Sequence, residues 1–569
     1  MTSPTPPADV IVVGCGPAGA VLASLLARKG RRVTVLERHR EVFALPRATS
    51  FDGETARLLA AAGVGPGLPR ISEPATGYQW RGVDGQVLLD IAFSATGRYG
   101  WPDANTMHQP SLEELLGTAL AAEPAVVVRR GLSVVGVRQT DTGVTAVAED
   151  DDGATHTFQA GWLVGCDGAN SVVRDLAGVS VTDLGLSFEW LLCDVRPHAP
   201  REFVPTNVQL CDPARPTTLV GSGPGRRRWE FMRLPDESSA ELGDVGTAWR
   251  LLAPHGVTPD TATLLRSATY RSHARWADQW RVGRIFLAGD AAHLMPPFAG
   301  QGMCSGIRDV SNLAWKLDLV IAGRADERLL DSYTVERRGH TKAAILASVK
   351  LGRVICVTDP SAAADRDAAI RANGGGRTTP PPEATPLTAG LFEPDAGRGG
   401  GEVIVAGRIE VDGVTGRFDD LVGRGFVLVT TEEPEALGEA QRAFLAEIDA
   451  TVVHIGPPIG RRRPGGRATW TACTGRICAT GARPPCSSGR TSTSTAPPVR
   501  ARSPGSSTAC AAGCARADAA VTRQPEGSRC PRRASSVGDT CAVDRRARTV
   551  APARSMRATV EDRREYVGK

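Results

Sequence analysis

The chain has 569 residues and a formal net charge of +5, with 13 cysteines. The charge is split: residues 461–569 hold 22 cations against 7 acids, or +15, leaving −10 for residues 1–460. The basic average therefore argues for neither a nucleic-acid nor a membrane partner. Because 461–569 lack any Leu or Phe, they cannot supply an ordinary core.

Residues 1–8 are polar and proline-rich, which is not a secretory leader. No uninterrupted apolar run approaches the ~20 residues of a membrane span. A cytoplasmic protein is expected. Cys15, Cys166, Cys193, Cys211, Cys304 and Cys356 show no paired ligand spacing, so buried thiols are expected rather than disulfides, and no metal site.

The first predicted element is a buried strand over 9–13. It runs into Gly14-Cys15-Gly16-Pro17-Ala18-Gly19, an apolar helix over 20–28, and a second strand over 33–36 ending at Glu37. This is a dinucleotide-binding βαβ in full context. Gly14 permits the tight turn, Gly16 lets backbone approach a pyrophosphate, and Gly19 allows close helix packing. The helix start attracts phosphate, and Glu37, 18 residues after Gly19, can accept from an adenosine ribose.

Further along, 161–171 is a strand ending in Asp167-Gly168, and 284–293 is another running into Gly289-Asp290. Ligands of open α/β sheets bind at such carboxyl ends. Pro296-Pro297-Phe298-Ala299-Gly300-Gln301-Gly302-Met303 then precedes a helix containing Asn312, Trp315 and Lys316. Together these three motifs resemble the single-component FAD-dependent aromatic hydroxylases typified by p-hydroxybenzoate hydroxylase. Pro46-Arg47-Ala48, Phe51-Asp52-Gly53-Glu54, Gly100-Trp101-Pro102, Gln109-Pro110, 211–216, Arg228-Trp229-Glu230-Phe231-Met232 and 302–306 look like the 3-(3-hydroxyphenyl)propionate hydroxylase branch. The resemblance is dense over roughly 8–350.

It implies FAD as cofactor, NADH or NADPH as reductant, and hydroxylation of a phenolic or polyketide aromatic by O2 through a flavin C4a-hydroperoxide. Residue by residue, it places Gly14, Gly16, Pro17, Ala18 and Gly19 on the pyrophosphate, and Glu37 with Arg38 beside the adenosine. It places Arg47 and Gln109 on the pyrophosphate and ribityl region, Gly289 and Asp290 on the ribityl chain, and Asp167 near the pyrophosphate. Pro297, Gly300, Gln301 and Gly302 would border the isoalloxazine, where amide donors stabilise the negative reduced flavin. Phenolate formation calls for a base or a positive field. Tyr270 and His273 are the candidates, each weighed against simple packing, whereas His293 reads as structural.

Rival classes are weighed by their sequence marks. A separate NADPH domain would bring a second complete glycine fingerprint. A halogenase would bring a tunnel lysine, whereas Lys29 is the only lysine before Lys316. A flavin oxidoreductase without hydroxylation (epoxidase, Baeyer–Villiger type or oxidase) and a catalytically impaired FAD binder remain the alternatives. The small partners expected are an aromatic substrate and O2, on a monomer or homodimer.

The fold expected is α/β. A Rossmann-like FAD domain of glutathione-reductase type occupies 1–75, 105–185 and 275–358, with a β-rich substrate domain from 76–104 and 186–274. A linker over 359–401 leads to a partial thioredoxin-like domain over 402–458. Residues 459–569 read as an unfolded, out-of-frame tail. Shifting the reading frame, Trp470-Thr471 must encode Asp, and 486–497 allows Leu-Val-Arg-Pro-Asp-Phe-Tyr-Val-Tyr-Gly-Thr, like the closing strand of that third domain. A frameshift near 456–467 is the reading.

Overall fold

The computed structural model describes residues 8–380, 385–393, 400–404, 406–411, 414–432 and 434–455, all within the unit Met1–Pro484. The expectations for 459–569, the frameshift included, lie outside the described residues.

Two large sheets carry the site. The strands Val126–Arg130, Val33–Glu37, Ala8–Val13, Thr155–Gly165 and Ile285–Leu287 lie side by side in that order, all parallel. Parallel strands need buried faces, and the sequence meets that need: Val10, Ile11, Val12, Val35, Leu163, Val164 and Phe286 are inaccessible to solvent. Full burial of each such side chain contributes about 1.5–3 kcal/mol. The helix Pro17–Ala27 crosses from the first strand to the second and packs against the helix Gly302–Ile321. Parallel order forces Gly14, Asp167 and Gly289 to the same sheet end, because each comes within two residues of the end of a strand running the same way.

The second sheet is mixed. Its strands run Ala262–Arg271, Glu189–Pro197, Arg227–Met232, Thr217–Gly221, Asn207–Leu210, Gly77–Arg81 and Val87–Ala92. Residues from 76–104 and 186–274 thus share one sheet. Strand period separates its faces. Leu191, Cys193, Val195, Trp229 and Phe231 form an apolar core with Ala248 and Leu252 of the helix Val245–Leu252. Trp190, Leu192 and Asp194 lie on the opposite face, in register with Met232, Glu230 and Arg228 on one neighbour and with Tyr270, Ala268 and Arg266 on the other.

Residues 359–401 are not the uniform linker expected from their Ala, Gly and Pro content. Pro360–Ala372 is a helix whose first turn is capped by Asp359, the carboxylate accepting from the Ala362 amide at 2.7 Å. Thr378–Thr379 pairs with Asp90 and Ile91 at the edge of the second sheet. Alanine favours helix and Pro at the helix start is harmless, so composition alone misled. Asp359→Ala is expected to cost about 1 kcal/mol, read as roughly fivefold faster hydrogen exchange in 363–372.

Beyond it, Val427–Thr430 and Thr451–His454 pair in parallel around the helix Glu439–Glu447. This segment is fastened to the first sheet's layer. Arg57 donates to both carboxylate oxygens of Asp419 at 2.6 and 2.7 Å. Phe426 meets Trp315 edge-on at 5.3 Å, and the Arg417 guanidinium lies 3.9 Å from the centre of the Trp101 ring.

Candidate functional site

Gly14 adopts φ +98°, which an L side chain resists. A Cβ there would also collide with the Cys166 carbonyl and stand 3.0 Å from Asp167 Cα. A Cβ on Gly19 would run into the Gly14 carbonyl oxygen. A Cβ on Gly16, by contrast, would meet no atom within 4 Å. Two glycines are thus required by the protein itself, while the third faces room for a ligand. The helix Pro17–Ala27 has no side chain capping its start, so its first amides are free to meet phosphate oxygens.

Glu37 closes this loop. It is 8 % exposed, and its Oε2 accepts from the Cys15 amide at 2.7 Å while Oε1 accepts from the His39 amide at 2.8 Å. A carboxylate has about four acceptor sites, so two remain for a ligand's donors. Arg38 is exposed beside it. Asp167 accepts from the Ser171 hydroxyl at 2.6 Å and the Val173 amide at 3.0 Å. Burial raises its pKa above the ordinary carboxylate value.

Gly289, at φ +61°, comes so near the first helix that a Cβ on it would touch Ala18 Cβ at 3.4 Å. The next residue, Asp290, stands 3.9 Å from Arg47, and both side chains are more than a third exposed. The backbone carrying Arg47 is held from two sides. Gln109 Oε1 accepts from the Arg47 and Ala48 amides at 3.1 and 2.7 Å. Arg228 and Arg266 donate to the Pro46 carbonyl at 2.8 and 2.6 Å, and Arg228 also reaches the Arg47 carbonyl at 2.9 Å. Gln109 is 4 % exposed and spends its amide nitrogen on Glu113 at 2.7 Å. Its side chain thereby fixes the backbone that carries Arg47.

The loop after the third motif contains the short helix Pro297–Ala299 and then Gly300, at φ +62°. Pro297 and Gly300 are exposed. Gly302 opens the helix Gly302–Ile321, which again has no side-chain cap. A 20-residue helix with a free N-terminus is a fixed positive pole. The Gln301 side chain turns away from it: Nε2 donates to Asp52 at 3.3 Å and Oε1 accepts from Arg308 at 2.9 Å. Arg308 also donates to Asp52 and Glu54 at 2.5 and 2.6 Å.

These features fit FAD. Two uncapped helix starts, a glycine loop with open space at Gly16, and the half-exposed Arg47–Asp290 pair lie along the carboxyl ends of the parallel strands. His293 is structural: it is 2 % exposed, its Nε2 lies 2.7 Å from Asp309 and its ring stacks on Trp280 at 5.3 Å. Asp309 also receives the Gly289 amide at 3.2 Å and Arg337 at 2.9 Å. Burial alone would raise its pKa, but His293 and Arg337 bring it below the ordinary value.

The model of a family described as "FAD binding domain" matches residues 7–348. The chain belongs to this FAD-binding family. Among curated relatives, a probable NADH-specific resorcinol 4-hydroxylase of Rhodococcus jostii (strain RHA1) is 40 % identical over 453 residues, covering 79 % of this chain and 84 % of its own. A 3-(3-hydroxy-phenyl)propionate/3-hydroxycinnamic acid hydroxylase of Burkholderia vietnamiensis (strain G4 / LMG 22486) is 34 % identical with the same coverage. Among solved structures, a ternary complex of aklavinone-11 hydroxylase with FAD and aklavinone matches with TM-score 0.63 at 26 % identity, covering 80 % of this chain and 90 % of that one. The chain is an FAD-dependent aromatic hydroxylase that uses NAD(P)H. Among the described residues, no helix is long and apolar enough to cross a membrane.

One face of the second sheet lies against the 296–302 loop. Phe298, next to Pro297, packs against Trp190 at 5.9 Å and Phe188 at 5.5 Å between ring centroids. Trp80, Leu88, Cys211 and Ile355 complete that cluster, with Tyr78, Met232 and Tyr270 against it. Tyr270 donates to Glu230 at 3.5 Å, and burial lifts its own pKa well above 10. His273 lies between the strands Ala262–Arg271 and Arg275–Ala277, and among the described residues no hydrogen bond joins it to Glu230 or to the 296–302 loop.

Sequence reasoning gave no role to Asp52, Asp194, Arg228, Glu230, Arg266 and Arg308, which the structure links to the Pro46–Arg47 and 296–302 segments directly or through one another. The available signal was the alternation in Arg227–Met232: charged Arg228 and Glu230 interleave with apolar Trp229 and Phe231. In a strand buried on both faces, such charges must be paired or functional.

Proposed function

We propose that the chain hydroxylates the ring of a small phenol, with NADH as electron donor, in the reducing cytoplasm that suits the six free thiols among the described residues. The observation that carries this reading is the inner sheet face. Aromatic rings (Trp80, Trp190, Tyr78, Phe298) would sandwich a planar substrate, and the hydrogen-bonding groups of Tyr270 and Glu230 lie in the same layer. The resorcinol and hydroxyphenylpropionate hydroxylases that the chain resembles are named for phenols, and the former for NADH.

FAD, when bound, takes electrons from the reduced nicotinamide and delivers one oxygen atom of O2 to the ring. The chain's own residues bind, orient and insulate. Arg47 and the two helix starts would hold the cofactor's negative groups. Pro297 and the backbone of Gly300 to Gly302 would set the flavin edge against the substrate, with the positive helix pole facing the charge that develops there. Trp190, Phe298 and Ile355 would exclude water, which protects a reactive oxygen donor from wasteful collapse.

The test is oxidation of NADH by the FAD-loaded protein with resorcinol, 3-(3-hydroxyphenyl)propionate and benzoate. Phenols are expected to stimulate consumption and benzoate is not. Equal stimulation by benzoate, or none by any phenol, contradicts the reading.

A further inference from the structure

Asp194 and Glu230 are two buried carboxylates beside one close guanidinium. Asp194 takes Arg228 Nε at 2.7 Å and Nη2 at 3.0 Å, while Nη1 donates to the Arg47 carbonyl at 2.9 Å. Glu230 is left 3.7 Å from Nη1, and the Tyr270 hydroxyl reaches it only at 3.5 Å. With about four acceptor sites, this carboxylate keeps unused capacity at 8 % exposure. One ladder step along the neighbouring strand, Trp190 is 1 % exposed and its indole Nε1 has no partner among the described residues. Leaving such groups unmet is costly, and a hydroxylated ring placed against Phe298 would meet both.

On the phenol reading above, we propose that Glu230 is the catalytic base that takes the hydroxyl proton of the substrate, with Tyr270 as its positioning residue. The O–H bond breaks and its electron pair stays on oxygen, while the proton passes to the Glu230 carboxylate. That pair feeds into the ring, whose ortho or para carbon forms the new C–O bond with the oxygen supplied by the established reaction. When the same carbon then releases its hydrogen to water as a proton, the ring carbonyl takes the proton back from Glu230. The carboxylate is regenerated and no further oxidant is needed.

The surroundings suit this task. Burial raises the Glu230 pKa, which brings it towards the working range of a base at neutral pH, while Arg228 opposes the rise and keeps ionisation accessible. The ionisable groups facing it are Arg228 on its own strand, Asp194 on one neighbour, and Arg266 and Tyr270 on the outer strand, with Tyr78 across the layer. The Tyr270 hydroxyl stabilises the ionised form. Arg228 also grips the carbonyls of Pro46 and Arg47, so the base and the cofactor loop share one support.

The experiment compares FAD-loaded wild type with Glu230→Gln and Tyr270→Phe, measuring product, peroxide and NADH across pH 6–9. Glu230→Gln is expected to hydroxylate on the order of 100-fold more slowly at pH 7. NADH oxidation should persist as peroxide formation, and the rate should recover with rising pH or with a more acidic fluorinated phenol. A Gln variant with wild-type rate and pH profile overturns the proposal. Tyr270→Phe removes a donor that favours the carboxylate, so the acid limb of kcat/KM should move to higher pH. An unmoved limb overturns it even if the Gln variant does not retain FAD. If wild type forms no product from any phenol, the phenol reading fails and the proposal falls with it; wild-type turnover with indifferent variants sinks the proposal alone.

Discussion

Gly19→Ala should yield a protein that no longer retains FAD. The added methyl would run into the Gly14 carbonyl oxygen and stand 3.1 Å from Gly14 C and 3.3 Å from Cys166 Cβ. Two of these three are backbone, which cannot rotate away, so either the glycine loop or the helix Pro17–Ala27 must shift. Overpacking of this kind costs about 3 kcal/mol, which corresponds to more than 100-fold in affinity if the shift is relieved only by abandoning the bound geometry. Gly16→Ala separates the protein's needs from the cofactor's. Gly16 has φ −71° and open space around its missing Cβ, so that variant should unfold like wild type without FAD but bind FAD more weakly. Fluorescence titration of FAD and urea unfolding of the cofactor-free proteins read the two effects apart. Equal loss of stability in both variants would show that the open space at Gly16 belongs to the fold rather than to the ligand.

Arg228→Met should carry the largest stability loss of any single change on the sheet face. Arg228 is 1 % exposed and supports Asp194, Glu230 and the carbonyls of Pro46 and Arg47. Breaking a buried pair by removing one partner costs about 3–5 kcal/mol, because the remaining charge has nothing to meet it. The loss should depend on pH in a definite sense. Burial already raises the Glu230 pKa and Arg228 opposes that rise; without the guanidinium Glu230 holds its proton still more tightly when folded than when unfolded, so the unfolded state binds fewer protons and stability falls as pH rises. The deficit against wild type, measured by urea unfolding, should therefore be smaller at pH 5.5 than at pH 8. FAD affinity should fall as well, since the Pro46–Arg47 backbone loses its carbonyl clamp. A deficit independent of pH would mean that Asp194 and Glu230 find other partners.

The parts of the molecule legible in sequence are those where local pattern and tertiary contact agree. Gly14, Gly16 and Gly19 sit between two apolar strands, and a turn, an approach and a packing contact follow from adjacency along the chain. The place of Gly289 and Asp290 after a parallel strand was legible from the apolar run that precedes them. Gln109 was expected at the cofactor, but its grip on the loop was not legible, since nothing in its neighbourhood reveals that Arg47 and Ala48, 62 and 61 residues earlier, donate to it. The Arg228–Asp194–Glu230–Tyr270 group joins three strands far apart in sequence, so only register across the sheet brings it together. Asp359 was concealed in a segment whose glycines and prolines suggest irregular chain, although a cap followed by Pro and an alanine-rich run is a helix start.

On the proposed function, the FAD-loaded protein transfers oxygen from O2 to a phenol lying between the Trp190–Glu230–Tyr270 face and the 296–302 loop. Mass spectrometry of the product formed from resorcinol and NADH under 18O2 tests it most directly. One 18O atom per product molecule, at a new ring hydroxyl and in proportion to NADH consumed, is the result expected. NADH consumption that ends entirely in hydrogen peroxide, with no labelled phenol formed from any hydroxyaromatic offered, would contradict it.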